Sequence, residues 1–260
     1  MESPLSSLDF HAARAMLEWQ MELGADEPIG DAPIDRYEVA AEAPRPAAAM
    51  PAPLPRSEID PVEVARIAAG AAGSLEELAG LQSDYPHCDL RKGARNFVFA
   101  DGNPQARVLI LGEAPGRDED IEGRPFVGRA GQLLDRMFAA IGLARTAHNR
   151  DEAIYITNVM PWRPPQNRDP EPAEIAMMLP FVARHVELVN PDIVVLMGNT
   201  PCDAALGRRG ILRLRGSWAE AFGRPAMPMT HPAYLLRNPA AKREAWADLL
   251  AIKSRLEASR

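Results

Sequence analysis

The sequence predicts an α/β protein, a three-layer α/β/α sandwich around a central four-stranded parallel sheet. Short, continuous apolar runs alternate with longer segments of helical periodicity, and several of the apolar runs close at a glycine. Such runs are typical of strands buried on both faces, and their alternation with helices indicates parallel crossovers. The chain has 260 residues, 47% of them hydrophobic and 25% charged, which suits one large domain with an extension.

The predicted elements can be placed in chain order. The strands are expected at residues 107–111, 153–157, 192–197 and 226–229. The helices are expected at 61–72, 74–81, 131–141 and 172–189, in a short segment ending near Leu206, and at 240–256. Gly112 and Gly198 close the first and third strands, and Ser74 with Glu77 has the spacing of a helix capping box.

The first 83 residues differ from the rest of the chain in composition and predicted organisation. Residues 1–42 form an acidic extension with a predicted helix at 8–23, and residues 43–58 are an Ala/Pro-rich linker. Residues 59–83 are short helices leading into the core, and residues 84–260 form the main domain. The extension is a candidate docking segment for a protein partner.

Charge is divided unevenly along the chain. Residues 1–85 carry 16 acidic and 5 basic side chains, a net charge of −11, whereas residues 86–260 carry 20 and 24, a net charge of +4. Only three of the 29 basic residues are lysine. Arginine suits bidentate contacts to phosphate, although a bias in codon usage produces the same excess. A nucleic-acid partner is therefore compatible with the main domain.

Several functional classes are excluded by composition. No run approaches the roughly 18 apolar residues of a membrane span, and the N-terminus lacks the pattern of a secretory signal. Two cysteines and five scattered histidines offer no spacing for a metal site, so no metal is expected. A monomer in a reducing cytoplasm is the expected state.

Polar and aromatic side chains follow the ends of the predicted strands. Glu113 follows the first strand, Asn158 closes the second and His231 follows the fourth, while Phe126 lies in a Gly/Pro-rich loop. Because the carboxyl ends of parallel strands meet at one edge of a sheet, these groups are expected to share a pocket. Taken singly, they are also typical of a turn, a helix cap, a structural histidine and a core anchor.

Together these side chains suit a base that has been flipped out of DNA. The carboxamide of Asn158 offers one acceptor and one donor, which complement N3–H and O4 of uracil but not the edge of cytosine. Phe126 would supply a stacking surface. His231 would stabilise the charge that develops on the base as its N-glycosidic bond breaks. Leu235, four residues after His231, is the candidate wedge into the base stack.

These motifs resemble those of the family 4 uracil-DNA glycosylases, over about two-thirds of the chain. The matching blocks, in order, are residues 96–104, 112–120, 123–134, 163–168, 215–216 and 231–239. The resemblance implies a parallel α/β/α sandwich that removes uracil from DNA, with Phe126 stacked on the base and Asn158 reading its edge. It also implies that Glu119 crowds a 5-methyl group and so excludes thymine.

The resemblance leaves the water-activating group open between two candidates. Glu113 and Asn167 are both placed to position the attacking water or to stabilise the sugar cation. Ala114 stands where another family of the superfamily carries a water-activating aspartate. No lysine occurs in the pocket motifs, so a monofunctional glycosylase that leaves an abasic site is expected. The alternative is a DNA-binding repair accessory that keeps the fold but has lost excision.

Members of that family hold an iron–sulfur cluster on four cysteines, and this sequence departs from the pattern. The corresponding positions here are Tyr85, Cys88, Trp162 and Met178. One thiol cannot replace the four thiolate ligands that such clusters use. The sequence therefore predicts no cofactor, and a former cluster site rebuilt as hydrophobic core.

Overall fold

The computed structural model describes residues 9–23 and 60–259, which belong to two compact units, Met1–Ser57 and Glu58–Arg260. The first unit contributes helix α1 (Phe10–Glu22). Asp9 is its N-cap, and the Asp9 carboxylate accepts a hydrogen bond from the Ala12 N–H at 2.8 Å. This helix agrees with the one predicted over 8–23. The linker predicted at 43–58 lies outside the described residues.

The second unit alternates strands and helices. Its strands are β1 (Ala100–Gly102), β2 (Val108–Gly112), β3 (Ile154–Asn158), β4 (Ile193–Met197), β5 (Ala219–Ala221) and β6 (Arg224–Met229). Its helices are α2 (Pro61–Ala71), α3 (Leu75–Ser83), α4 (Leu90–Gly93), α5 (Arg117–Glu122), α6 (Arg129–Ala139), α7 (Pro172–Val189), α8 (Asn199–Leu206), α9 (Ile211–Leu214), α10 (Pro232–Arg237) and α11 (Lys242–Ala258). Each of the four predicted strands is present.

These strands form one sheet in the order β1-β3-β2-β4-β6-β5. The inner four strands are parallel, which confirms the predicted parallel core. Two three-residue strands, β1 and β5, add antiparallel edges that the sequence did not predict. The chain moves from β2 to β3 on one side and then to β4 on the other, so the topological switch point lies at β2.

The sheet separates two hydrophobic layers, as the predicted sandwich requires. Side chains alternate along each strand: Leu109 and Leu111 face the layer that contains α2, α3 and α7, whereas Val108 and Ile110 face α6, α10 and α11. All residues of β2, β3 and β4 are buried, which is why these strands read as continuous apolar runs.

Helices α2 and α3 lie within the same compact unit as the sheet. They pack on α7, and Ala65, Ala69 and Leu78 are buried there. Ser74 caps α3 as predicted, because its hydroxyl accepts from the Glu77 N–H at 3.2 Å; the Glu77 carboxylate binds the Gly73 N–H. Within residues 9–23 and 60–259, no helix is long and apolar enough to cross a membrane.

Candidate active site

A cavity of about 610 Å³ opens at the carboxyl edge of the parallel strands. It collects the segments that leave β2, β3, β4 and β6, as the topology of a doubly wound sheet leads one to expect. The polar side chains that line it are Glu113, Glu119, Asn158, Asn167, Asp169, Asn199, Thr200, His231 and Arg237, with Phe126 and Tyr234 as the aromatic members. Six of the predicted site residues therefore share one cavity.

Asn158 lies at the floor of the cavity with an unused acceptor. It pairs in register with Gly112 across β2 and β3, and only 5% of the residue is exposed. Its Oδ1 is buried without a hydrogen-bond partner among the described residues. A buried, unpaired acceptor costs roughly 1–3 kcal/mol, which a ligand N–H would recover.

Gly112 packs closely against the carboxamide of Asn158. A Cβ on Gly112 would lie 2.2 Å from Asn158 Oδ1, so a Cα–H of Gly112 is directed at that oxygen. The absence of a side chain at Gly112 therefore leaves the space that Asn158 Oδ1 occupies.

Phe126 supplies an aromatic face next to this carboxamide. Its backbone adopts a left-handed conformation, with φ at 54°, which a bulky residue rarely adopts. The same Cβ position on Gly112 would lie 2.5 Å from Phe126 Cε2, so the ring packs directly over the glycine. The Phe126 and His231 rings are 5.5 Å apart between centroids.

The carboxylate of Glu119 binds the loop that carries Phe126. Its two oxygens accept from the N–H groups of Gly116, Val127 and Gly128 at 3.1, 3.0 and 2.9 Å. Glu119 also lines the cavity. Three backbone hydrogen bonds hold this carboxylate in one orientation at the cavity wall.

His231 presents a neutral imidazole with one free donor. It caps α10, and its Nδ1 accepts from the Ala233 N–H at 3.1 Å. Burial, with help from Arg237, lowers the pKa of His231 to about 4. Because Nδ1 is an acceptor in a neutral ring, the proton resides on Nε2, which can donate into the cavity.

Glu113 accepts a hydrogen bond from helix α8, which follows the neighbouring strand β4. The Thr200 hydroxyl, in the first turn of α8, donates to Glu113 Oε2 at 2.7 Å. Burial raises the pKa of Glu113, and the hydrogen bond from Thr200 acts in the opposite direction. Thr200 thus fixes one oxygen of Glu113, whose side chain lines the cavity.

Asn167 lines the cavity from a short 3-10 turn (Pro165–Asn167). Its backbone φ is 54°, and its Oδ1 accepts from Arg163 Nε at 2.8 Å. An amide oxygen has two lone pairs, so Asn167 can still offer a ligand one acceptor position as well as its NH2 donors. Both candidates for handling water thus line the cavity, on different loops.

Leu235, the predicted wedge, does not line this cavity. Leu235 is 1% exposed and packs in the core layer with α6 and α11, at the floor of a separate apolar groove. His231 is the N-cap of α10 and does not follow the helical phase, so spacing from it misplaces Leu235. The residues of α10 that line the cavity are Ala233, Tyr234 and Arg237.

Sequence reasoning missed several residues of the site. Thr200 and Asn199 follow β4 at its carboxyl end, so the rule that placed Asn158 and His231 would have found them. Arg237 ends α10, is exposed, and carries a positive charge at the cavity. Asp169 has no motif around it that would have identified it.

The four positions that correspond to cluster ligands do not suit an iron–sulfur cluster. Tyr85, Cys88, Trp162 and Met178 are all buried in one hydrophobic layer. The Tyr85 hydroxyl donates to the Pro61 carbonyl oxygen at 2.6 Å, and Trp162 packs against Phe97. Burial raises the pKa of the single thiol, Cys88, which disfavours a thiolate.

The described residues also offer no set of side chains for another kind of metal ion. Across residues 9–23 and 60–259, no group of three or more His, Cys, Asp or Glu side chains could hold a metal ion. Cys202 lies in α8, and burial raises its pKa to about 12.

Fold and site together define a doubly wound α/β protein with a polar cavity at the carboxyl edge of its parallel strands. The family model for the uracil DNA glycosylase superfamily matches residues 99–250. The chain is 38% identical over 188 residues to a type-4 uracil-DNA glycosylase of Archaeoglobus fulgidus, covering 69% of this chain and 92% of that protein. This chain belongs to the uracil-DNA glycosylase superfamily.

Two other relatives illustrate the range of similarity. A type-4 uracil-DNA glycosylase of Thermotoga maritima is 40% identical over 154 residues, which is 58% of this chain and 77% of that protein. A protein of Bacillus phage SP01 named DNA polymerase is 31% identical over 156 residues, or 60% of this chain and 16% of its own length.

Proposed function

We propose that this protein is a monofunctional uracil-DNA glycosylase, which flips uracil out of DNA and hydrolyses its N-glycosidic bond. The unpaired, buried Oδ1 of Asn158 carries the proposal. It accepts from a ring N–H, which uracil has at N3 and cytosine lacks. The NH2 group of the same carboxamide donates to O4, so Asn158 selects uracil over cytosine.

Stacking and shape complete the recognition of the base. Uracil stacks on the ring of Phe126, an interaction worth roughly 1–3 kcal/mol. Glu119, braced by three backbone N–H groups, forms the wall that a 5-methyl group would meet, so thymine is rejected. Arg237, exposed at the cavity, contacts a phosphate near the flipped nucleotide.

The chemistry proceeds by stabilising the departing base and placing a water molecule. His231 is neutral at pH 7 and donates from Nε2 to a carbonyl oxygen of the uracil as negative charge develops there. Glu113, oriented by Thr200, accepts a hydrogen bond from the water that attacks the sugar carbon. Asn167 donates from its NH2 group to the same water.

The product is an abasic site in an uncut strand. No lysine lines the cavity among the described residues, so no amine is placed to form a Schiff base with the sugar. The test is a labelled oligonucleotide with one uracil, incubated with the protein and then treated with alkali. Alkali-dependent cleavage is expected for uracil, and none for cytosine or thymine at the same position.

Two results would count against the proposal. Strand cleavage without alkali, or a complex trapped by borohydride, would show a lysine-dependent mechanism. Binding of uracil-containing DNA without any excision would favour the alternative, a repair accessory that keeps the fold.

We also propose that the protein functions without an iron–sulfur cluster. The apolar packing of Tyr85, Trp162 and Met178 supports this, because those side chains occupy the ligand positions. Protein purified anaerobically should contain no stoichiometric iron and show no broad absorbance near 400 nm. Bound iron with that absorbance would overturn the proposal.

We propose, finally, that the acidic N-terminal extension is dispensable for excision by a monomeric enzyme and serves a protein partner. A chain shortened to begin at Glu58 keeps Asp60, whose carboxylate caps α2 by accepting from the Val62 N–H at 2.9 Å. It should run as a monomer in light scattering and excise uracil as fast as the full chain. A shortened chain that fails to fold would refute this division.

A further inference from the structure

Two charged side chains, Glu119 and Arg145, form hydrogen bonds with the backbone of the loop that carries Phe126. On one side the Glu119 carboxylate accepts from the backbone N–H groups of Val127 and Gly128. On the other side the guanidinium of Arg145 donates to the carbonyl oxygens of Pro125 and Phe126, each at 2.9 Å. The backbone around Phe126 is therefore held between an anion and a cation, each on the backbone groups of matching polarity.

Arg145 is itself fixed by two carboxylates from different elements. Its Nε donates to Asp135 Oδ1 of α6 at 2.8 Å, and its Nη1 donates to Asp101 Oδ2 of β1 at 3.0 Å. The Arg145 side chain is only 11% exposed. A planar guanidinium with several fixed donors can satisfy all four acceptors at once, which a lysine ammonium cannot do in the same geometry.

These hydrogen bonds matter because they stabilise the left-handed backbone conformation of Phe126. A φ of 54° is unfavourable for a non-glycine residue, and such strain persists only where the surroundings over-determine it. Gly131 of α6 adds to the constraint, since a Cβ there would lie 1.8 Å from the Phe126 carbonyl oxygen. The carbonyl oxygen of Phe126 is thus fitted between Arg145 and the backbone of α6.

From these contacts we infer that Arg145 is a positioning residue for base recognition: it sets the plane of the Phe126 ring on which the base stacks. This inference rests on the proposed function, because it assumes that uracil binds against Phe126. Arg145 does not line the cavity, so it acts on the base only through Phe126. No motif of the site includes it.

The experiment compares Arg145→Lys with a matched variant, Arg107→Lys. Arg107 is equally buried, with a side chain 7% exposed, and also binds a carboxylate, Asp192. It precedes β2 at the opposite end of the strands from the cavity. Both substitutions should lower the thermal midpoint, so any general effect of losing a buried guanidinium appears in both.

Two readouts separate positioning from stability, both taken where each variant is fully folded. In Arg145→Lys the single-turnover rate of uracil excision should fall roughly 10- to 100-fold, as misplacement of a reacting group by about 1 Å does. Inhibition by free uracil should weaken about tenfold, within the range expected for a lost stacking surface. In Arg107→Lys both quantities should stay within about threefold of the unsubstituted protein.

A milder variant keeps the test decisive if Arg145→Lys is unstable. Asp135→Asn leaves Arg145 in place but weakens one of its anchors, and Asp135 is 46% exposed, so the fold should tolerate it. It should weaken inhibition by free uracil in the same direction, by a smaller factor. Equal behaviour of the Arg145, Asp135 and Arg107 variants in an active enzyme would overturn the inference alone. An unsubstituted protein that leaves uracil in place would overturn the proposed function, and this inference with it.

Discussion

Replacing Gly112 with alanine should disable base recognition while the fold remains. A Cβ at this position lies 2.2 Å from Asn158 Oδ1 and 2.5 Å from Phe126 Cε2. Non-bonded heavy atoms prefer separations of about 3.5–4.0 Å, so both side chains must retreat by roughly 1 Å or more. Gly112 has no positive φ, so the added methyl acts through this contact alone.

The expected magnitudes follow from that displacement. Misplacing a binding group by about 1 Å costs on the order of 10²-fold in rate, and overpacking a core position costs about 1–3 kcal/mol of unfolding free energy. Single-turnover excision of uracil with enzyme in excess measures the first, and urea denaturation the second. The Gly112→Ala protein should therefore be folded and nearly inactive.

A matched glycine controls for the substitution itself. Gly80 lies within α3, and a Cβ there would meet nothing within 4 Å. Gly80→Ala should leave excision unchanged and raise the unfolding free energy by about 0.5–1 kcal/mol. Excision by Gly112→Ala within threefold of the unsubstituted rate would mean that Asn158 and Phe126 do not form the base site.

Further predictions concern three other residues of the site and core. His231→Ala should slow single-turnover excision by about 10²–10³-fold, as removal of an oxyanion donor does. Because the pKa of folded His231 is about 4, below the ordinary 6.5, the unfolded chain protonates first as pH falls. The unfolding free energy should thus decline between about pH 6.5 and 4, and less so in His231→Ala, as urea titrations would show. Asn158→Asp should lower uracil excision about tenfold or more. It should also permit some cytosine excision, because a protonated carboxyl can present its donor and acceptor to the edge of cytosine. Excision assays on oligonucleotides with either uracil or cytosine would show this change or refute it. Trp162→Ala should destabilise the fold by about 3–5 kcal/mol, whereas Trp246→Ala, 43% exposed, should change it far less by the same denaturation assay.

The inner sheet was accessible from sequence because burial on both faces leaves a local trace. Residues 107–111 and 192–197 contain unbroken apolar runs, and the strands β2 and β4 fall within one residue of those limits. The edge strands left no such trace. β1 is Ala-Asp-Gly, and it becomes a strand only because its backbone pairs with β3. That pairing is a property of the folded chain rather than of three residues.

The residues of the site likewise divide into those that a local sequence pattern locates and those that depend on contacts in the folded chain. Asn158 and His231 could be located because each follows a recognisable strand, and the topology then brings them together. Leu235 could not, since its orientation depends on the packing of α10 against α6. Arg145 could not either, because its role consists entirely of contacts with residues at least ten positions away.

Gly112 pairs with Asn158 in the sheet, so under the proposed function the choice of base depends on how two strands align. A slip of one residue would set Thr157 beside Gly112 and turn the carboxamide to the other face of the sheet. A chain with that error could not become a less discriminating enzyme, because the acceptor and the stacking ring would no longer meet at one glycine. Misfolded molecules should therefore be inert toward every base in DNA, so an error in folding does not become a source of unwarranted excision.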